Sequence, residues 1–343
     1  MKRCFLGGIR RNACKPPRGW FSGQVRHGIR FFLAVLLLVG SVNKALGPAA
    51  AADADRLDAA GDVFGASDLG GLVQQWLFAF QQRHAGAKIR LLPTRLLASP
   101  SVLNGAYNGT VYVGYRLNRQ AIDGFARKYG YRPTPVRIAL DTIAVLVHPE
   151  NPIRGMTLAQ VDSVFSRSPR CRGDRHAAVW GSLGLGEEWA ARPVQVFAIG
   201  SADDMHDYFR EHVLCGGELS ELAQLRPNSA AVARAVSGSL NAIGYARGGG
   251  AESVKRVPLA AEANMPFVTA TERNTVNGTY PLTRLLHLYV DKRPDESLTG
   301  TVAEFVRFAL SAEGQKIVRR SGFIPLSHDV AEKEQKALFA DRP

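Results

Sequence analysis

A chain of 343 residues has length for about two domains, and 46% hydrophobic with 21% charged residues is the makeup of an ordinary globular protein. That balance excludes a disordered tail, a collagen and a polytopic membrane protein. The formal charge of +13 suggests a nucleic-acid binder only until it is located. Residues 1–52 hold nine Lys or Arg and no Asp or Glu, whereas the remainder carries 34 basic against 30 acidic residues. The excess belongs to the N-terminus, so no nucleic-acid partner is expected of the folded part.

In chain order, the first feature is Phe31–Val39, an unbroken apolar run behind a basic segment and ahead of small residues ending at Ala49–Ala52. A spanning helix needs about 20 apolar residues. The layout is instead that of a secretory signal over residues 1–52, which predicts export to the periplasm. Cys4 and Cys14 fall in that leader, leaving Cys171 and Cys215. An even pair in an exported protein suggests a disulfide, with two buried free thiols as the alternative. Neither has a neighbouring Cys or His at zinc-ligand spacing, so no metal site is expected.

After the loop Gly65-Ala66-Ser67-Asp68, Leu69, Leu72, Val73, Trp76, Leu77 and Phe80 recur at helical spacing. Ala87–Leu92 and Val111–Tyr115 read as short strands. Val136–Val147 is a long β-rich run ended by Pro149 and Pro152, and a helix resumes over Thr157–Phe165 with Thr157 as its cap. Strands at Val194–Ile199, Ala242–Tyr245 and Leu282–Val290 then alternate with helices at Met205–Leu214, Ser229–Ser237, Thr301–Leu310 and Glu313–Arg320. Strands interleaved with helices predict an α/β sheet. There is no phosphate loop ending in Lys-Ser/Thr, no G-x-G-x-x-G after a strand, no G-x-S-x-G elbow and no H-E-x-x-H helix. Neither an enzyme nor a bound cofactor is expected.

From Thr142 onward several ordered motifs carry a resemblance. They are Ile143–Pro152 (IAVLVHPENP) after Ile138–Asp141, Ala242–Tyr245, Tyr280–Arg284, Leu310–Gln315 and Gly322–Leu326. Together they resemble the phosphate-binding proteins of bacterial ABC transporters. The resemblance implies a two-lobed type II periplasmic-binding-protein fold, with a ligand cleft between α/β lobes. Lobe 1 would comprise residues 57–145 and 268–343, and lobe 2 residues 146–267. The chain would cross near 141–148 and return near 268–284. It further implies a monomer that hands a phosphate-like anion to an ABC transporter permease.

In that family the anion is held by Ser and backbone N–H groups at helix starts, with an Arg and a carboxylate. The resemblance maps these roles onto Ser67 and Asp68 in the first loop and Ser99, ahead of Pro100, in the second. Arg116 after Tyr115 is the candidate cation, with a solvent-facing Arg as the alternative. The third loop departs most. Aligned on Tyr208-Phe209, the family's Ser-Gly-Thr becomes Asp203, Asp204 and Met205, and its Arg becomes Ile199. Like unit charges about 5 Å apart repel by roughly 3 kcal/mol at an effective dielectric of 20, so these acids oppose an anion. Three readings stay open: the acids complement the helix start, they retain an oxyanion by pointing away, or Asp203, Asp204, His206 and Asp207 hold a cation. Accordingly two functions are weighed, an oxyanion-binding transport component and a relative with a degenerate site serving as a periplasmic interaction or sensory module.

Overall fold

The computed structural model describes residues 61–65, 69–92, 110–117, 119–169, 176–200, 204–248 and 253–339. Residues 1–52, expected to be a leader, lie outside them, as do Cys171, Ser67, Asp68, Ser99 and Asp203. The first half of the described chain contains β1 (Gly61–Gly65), α1 (Gly70–Arg83), β2 (Ile89–Leu92), β3 (Thr110–Gly114), α2 (Arg119–Tyr129) and the 14-residue β4 (Thr134–Val147). Next come β5 (Met156–Thr157), α3 (Leu158–Phe165), β6 (Gln195–Ile199), α4 (Asp204–His212), β7 (Gln224–Arg226), α5 (Ser229–Ser237) and β8 (Ala242–Arg247). The chain closes with β9 (Lys255–Arg256), β10 (Leu259–Ala260), α6 (Glu272–Val276), β11 (Thr283–Val290), α7 (Gly300–Leu310), α8 (Ala312–Arg320), β12 (Ile324–Pro325) and α9 (His328–Phe339).

One sheet runs in the order β2-β1-β3-β11-β4-β8-β6-β7. β1 pairs in parallel with β2 and β3, and β6 in parallel with β7 and β8. The long β4 joins the two parallel groups by changing partner along its length. Thr134–Thr142 lie antiparallel to β11, and Ile143–Val147 antiparallel to β8. The apolar residues divide at the same place. One cluster gathers Ile143–Val147 with Phe165, Trp180, Phe197, Phe209 and Tyr245. The other gathers Val136, Ile138 and Ala139 with Val63, Trp76, Phe80, Leu286, Phe305 and Phe323. Burying a large apolar side chain contributes about 1.5–3 kcal/mol, and each cluster holds enough of them to fold around β4.

Local sequence accounts for most boundaries. Thr157 caps α3 through a full capping box: its hydroxyl accepts from the Gln160 amide, and the Gln160 side chain accepts from the Thr157 amide. Gly244 lets α5 lie against β8, since a Cβ there would stand 2.7 Å from Val232 Cγ1. β1, α2 and α9 are among the elements that were not foreseen. β1 is only five residues, two of them its terminal glycines, and is specified by pairing on both edges rather than by alternation. α2 buries only Ala121 and Phe125, and α9 only Ala331 and Leu338, so neither displays a broad apolar stripe. Among the described residues, no helix is long and apolar enough to cross a membrane.

Candidate functional site

Where β4 changes partner, polar side chains interrupt the core. Asp141 and Thr142 on β4 and Arg284 on β11 are all buried. Asp141 Oδ2 accepts from Arg284 Nε at 2.9 Å, Arg284 Nη2 at 2.7 Å and the Tyr115 hydroxyl at 3.1 Å. Its other oxygen accepts the Thr142 amide at 2.9 Å. Arg247, the last residue of β8, adds a second guanidinium, with Nε 3.5 Å from Asp141 Oδ1. Hydrogen bonds to charged groups contribute about 1.5–3 kcal/mol each, so the carboxylate is held from several directions.

Aromatic faces line the two cations. The Arg284 guanidinium sits 3.5 Å from the centre of the Tyr115 ring and 5.8 Å from that of Tyr208. Arg247 lies 4.0 Å over Phe323. Such stacking is attractive because the ring face is electronegative, most so where water is excluded. Tyr208 also donates its hydroxyl to the Thr283 carbonyl at 2.9 Å. Burial pushes that hydroxyl up to about 12, against the pull of Arg284, so it remains a donor at neutral pH.

Backbone bonds fix the junction. The Ile143 amide donates to Leu282 O and the Gly248 amide to Thr142 O. The hydroxyls of Thr142 and Thr275 share a hydrogen bond at 2.9 Å. The Arg247 amide donates to Ser229 Oγ, in the first turn of α5. The carboxyl end of β3 arrives through Tyr115 and that of β8 through Arg247, with β6 beside β8. Ligands of open α/β sheets bind at such carboxyl ends, where strand order reverses.

The expected site residues fare differently. Arg116 is exposed, and its charge is felt by His287 and Tyr289. It is its neighbour Tyr115 that turns to Asp141. Asp204 opens α4, where a carboxylate complements the partial positive charge of the helix start. His206 is buried against Tyr245, with Nδ1 3.4 Å from the tyrosine oxygen, and among the described residues no group of three His, Cys, Asp or Glu is placed to hold a metal ion. Asp141, Arg284 and Tyr208 were read only as parts of the resemblance motifs and alignment, and neither they nor Arg247 were read as site residues.

An α/β sheet of two parallel groups joined by a shared long strand, with buried charge at the junction, is the architecture of a two-lobed solute-binding protein. A family model described as a PBP superfamily domain matches residues 52–313. The phosphate-binding protein PstS of Pseudomonas aeruginosa is 38% identical over 278 residues, covering 80% of this chain and 85% of its own. An ABC-type phosphate transport receptor from Vibrio cholerae superposes with a TM-score of 0.60 at 16% identity, over 78% of this chain and all of its own. A structure from Planctomyces limnophilus, described as a possible phosphate binding protein, gives 0.61 at 21% identity, over 82% and 97%. The chain therefore belongs to the PBP superfamily and, within it, to the family of PstS phosphate-binding proteins.

Proposed function

We propose that this protein is an exported periplasmic solute-binding protein that carries phosphate or a related oxyanion to an ABC transporter permease, without catalytic chemistry. The observation that carries this reading is the junction itself. Among the described residues it sets two guanidiniums against one carboxylate at the carboxyl ends of β3 and β8. The kinship to PstS points the same way. Lobe 1 is assigned to residues 57–145 and 268–343 and lobe 2 to 146–267, closing on the ligand as a monomer. Ser67, Asp68 and Ser99 are proposed to contribute donors and a carboxylate from the neighbouring loops, and residues 1–52 to direct export. A Cys171–Cys215 bond is proposed to tie lobe 2, supported by the even pair of cysteines that remains after residue 52. Mass spectrometry of the unreduced mature chain should show a peptide linking the two cysteines; two alkylatable thiols would refute that bond.

Thermal unfolding of the full chain titrated with phosphate, sulfate and other oxyanions tests the main reading. A ligand of the folded state adds about 2.7 kcal/mol at one hundred times its Kd, so the midpoint should climb with the logarithm of phosphate concentration. A flat response to every oxyanion would favour the second reading, an interaction or sensory module. Asp204 at the start of α4, with Ile199 ending β6, is the observation on that side.

A further inference from the structure

We infer that Arg247 is the residue that takes up the charge of the bound oxyanion, in place of Arg116 or Arg284. The inference rests on the oxyanion reading above and narrows it to one side chain. Two arginines meet Asp141, but their situations differ. Arg284 is only 2% exposed and places two donors on one carboxylate oxygen, so it is sealed into the fold. Arg247 keeps 16% of its side chain accessible, and its Nε lies 3.5 Å from the same carboxylate. A ligand arriving from solvent can therefore reach Arg247 without dismantling the buried pair.

Its placement fits the task. The parallel register pairs Phe197 with Gly244, so continuing both strands puts Arg247 one residue beyond the level of Ile199, the last residue of β6. β6 ends there in an apolar residue, and β8 ends in a guanidinium. Arg247 also touches both apolar clusters. Its strand packs with the one around Phe197 and Tyr245, whereas its guanidinium stacks on Phe323 of the other. Its backbone is fixed by Ser229 and, one residue on, by the Gly248–Thr142 bond. A guanidinium held over a ring face is restricted in its motion, so donors it offers to a phosphate are oriented at low entropic cost.

Isothermal titration of the full chain with inorganic phosphate decides the matter, using Arg247→Met, Arg247→Lys, Arg116→Met and, as a remote control, Arg273→Met on exposed α6. Arg247→Met should weaken phosphate about 10- to 100-fold, the loss of one or two charge-assisted hydrogen bonds. Arg247→Lys, which keeps the charge but loses the fork and the stacked plane, should weaken it about fivefold, with the ligand-free melting temperature little changed. Arg116→Met and Arg273→Met should match the parent. Parent-like affinity in Arg247→Met, or loss in Arg116→Met alone, overturns the inference and leaves the oxyanion reading standing. If Arg247→Met does not fold, parent-like affinity in Arg247→Lys overturns it. A parent chain silent toward every oxyanion overturns both.

Discussion

Arg284 meets Asp141 at 2.7 and 2.9 Å, and Arg319 meets Glu272 at 2.8 and 2.9 Å, yet the two pairs live in opposite surroundings. The exposed pair has the better geometry, a fork with each Arg319 nitrogen on its own Glu272 oxygen. The buried pair crowds two Arg284 nitrogens and the Tyr115 hydroxyl onto one oxygen of Asp141. Solvent nevertheless screens the first, whereas the second sits where water cannot compensate either charge. Ideal geometry on a surface contributes little. Imperfect geometry in a core decides which strands may meet.

The largest effect should come from opening the buried pair. Arg284→Met leaves Asp141 without its closest cation, and denaturant unfolding should show a loss of about 3–5 kcal/mol. The double change Asp141→Leu with Arg284→Met should recover most of that loss, since an apolar pair needs no compensation. If the double variant stays as unstable as the single one, burial is not what sets the two pairs apart. Between the extremes lies the half-buried capping box of α3, where Thr157→Ala should cost about 1 kcal/mol in the same measurement. Arg319→Met should cost less than about 1 kcal/mol, and less again in 1 M salt, where the Debye length is about 3 Å. Glu272 is held below the ordinary carboxylate range chiefly by its hydrogen bond to Arg319, so this contribution is present at neutral pH and lost as pH falls through the folded value.

The smallest effect is a change of pH slope at His287, on β11 close to the same junction. Burial holds its imidazole below the usual value, opposed by Glu334 and reinforced by Arg137. The unfolded chain therefore binds the proton more readily, and stability falls as pH drops below about 6.5 until the folded imidazole also protonates. Urea titrations at stepped pH should show His287→Gln removing that part of the slope. An unchanged slope would assign the acid sensitivity to other groups.

Much of the fold was legible because most elements announce themselves locally. The stripe Leu69–Phe80, the cap at Thr157 and the β-rich run Val136–Val147 each pair a period with a boundary residue, and each appears close to its expected place. β1 escaped because three residues between glycines hold no readable period, and α2 and α9 because their apolar faces are narrow. The candidate site was less legible, although a signal existed. Asp141 and Thr142 interrupt an apolar strand, and Arg284 stands at the start of another. An acid or a guanidinium inside such a run must have a partner, because burying an unpaired charge is prohibitive.

What the sequence determines alone is therefore the succession of most strands and helices, the division of charge between residues 1–52 and the rest, and the kinship carried by its ordered motifs. All of these are written in neighbouring residues or in their succession. What only the tertiary structure decides is that residues 143 positions apart, Asp141 and Arg284, share a buried pocket, and that Tyr115 rather than Arg116 turns toward it. Contacts across such separations depend on how β4 changes partner midway, and that exchange is settled by the packing of two cores rather than by any local pattern.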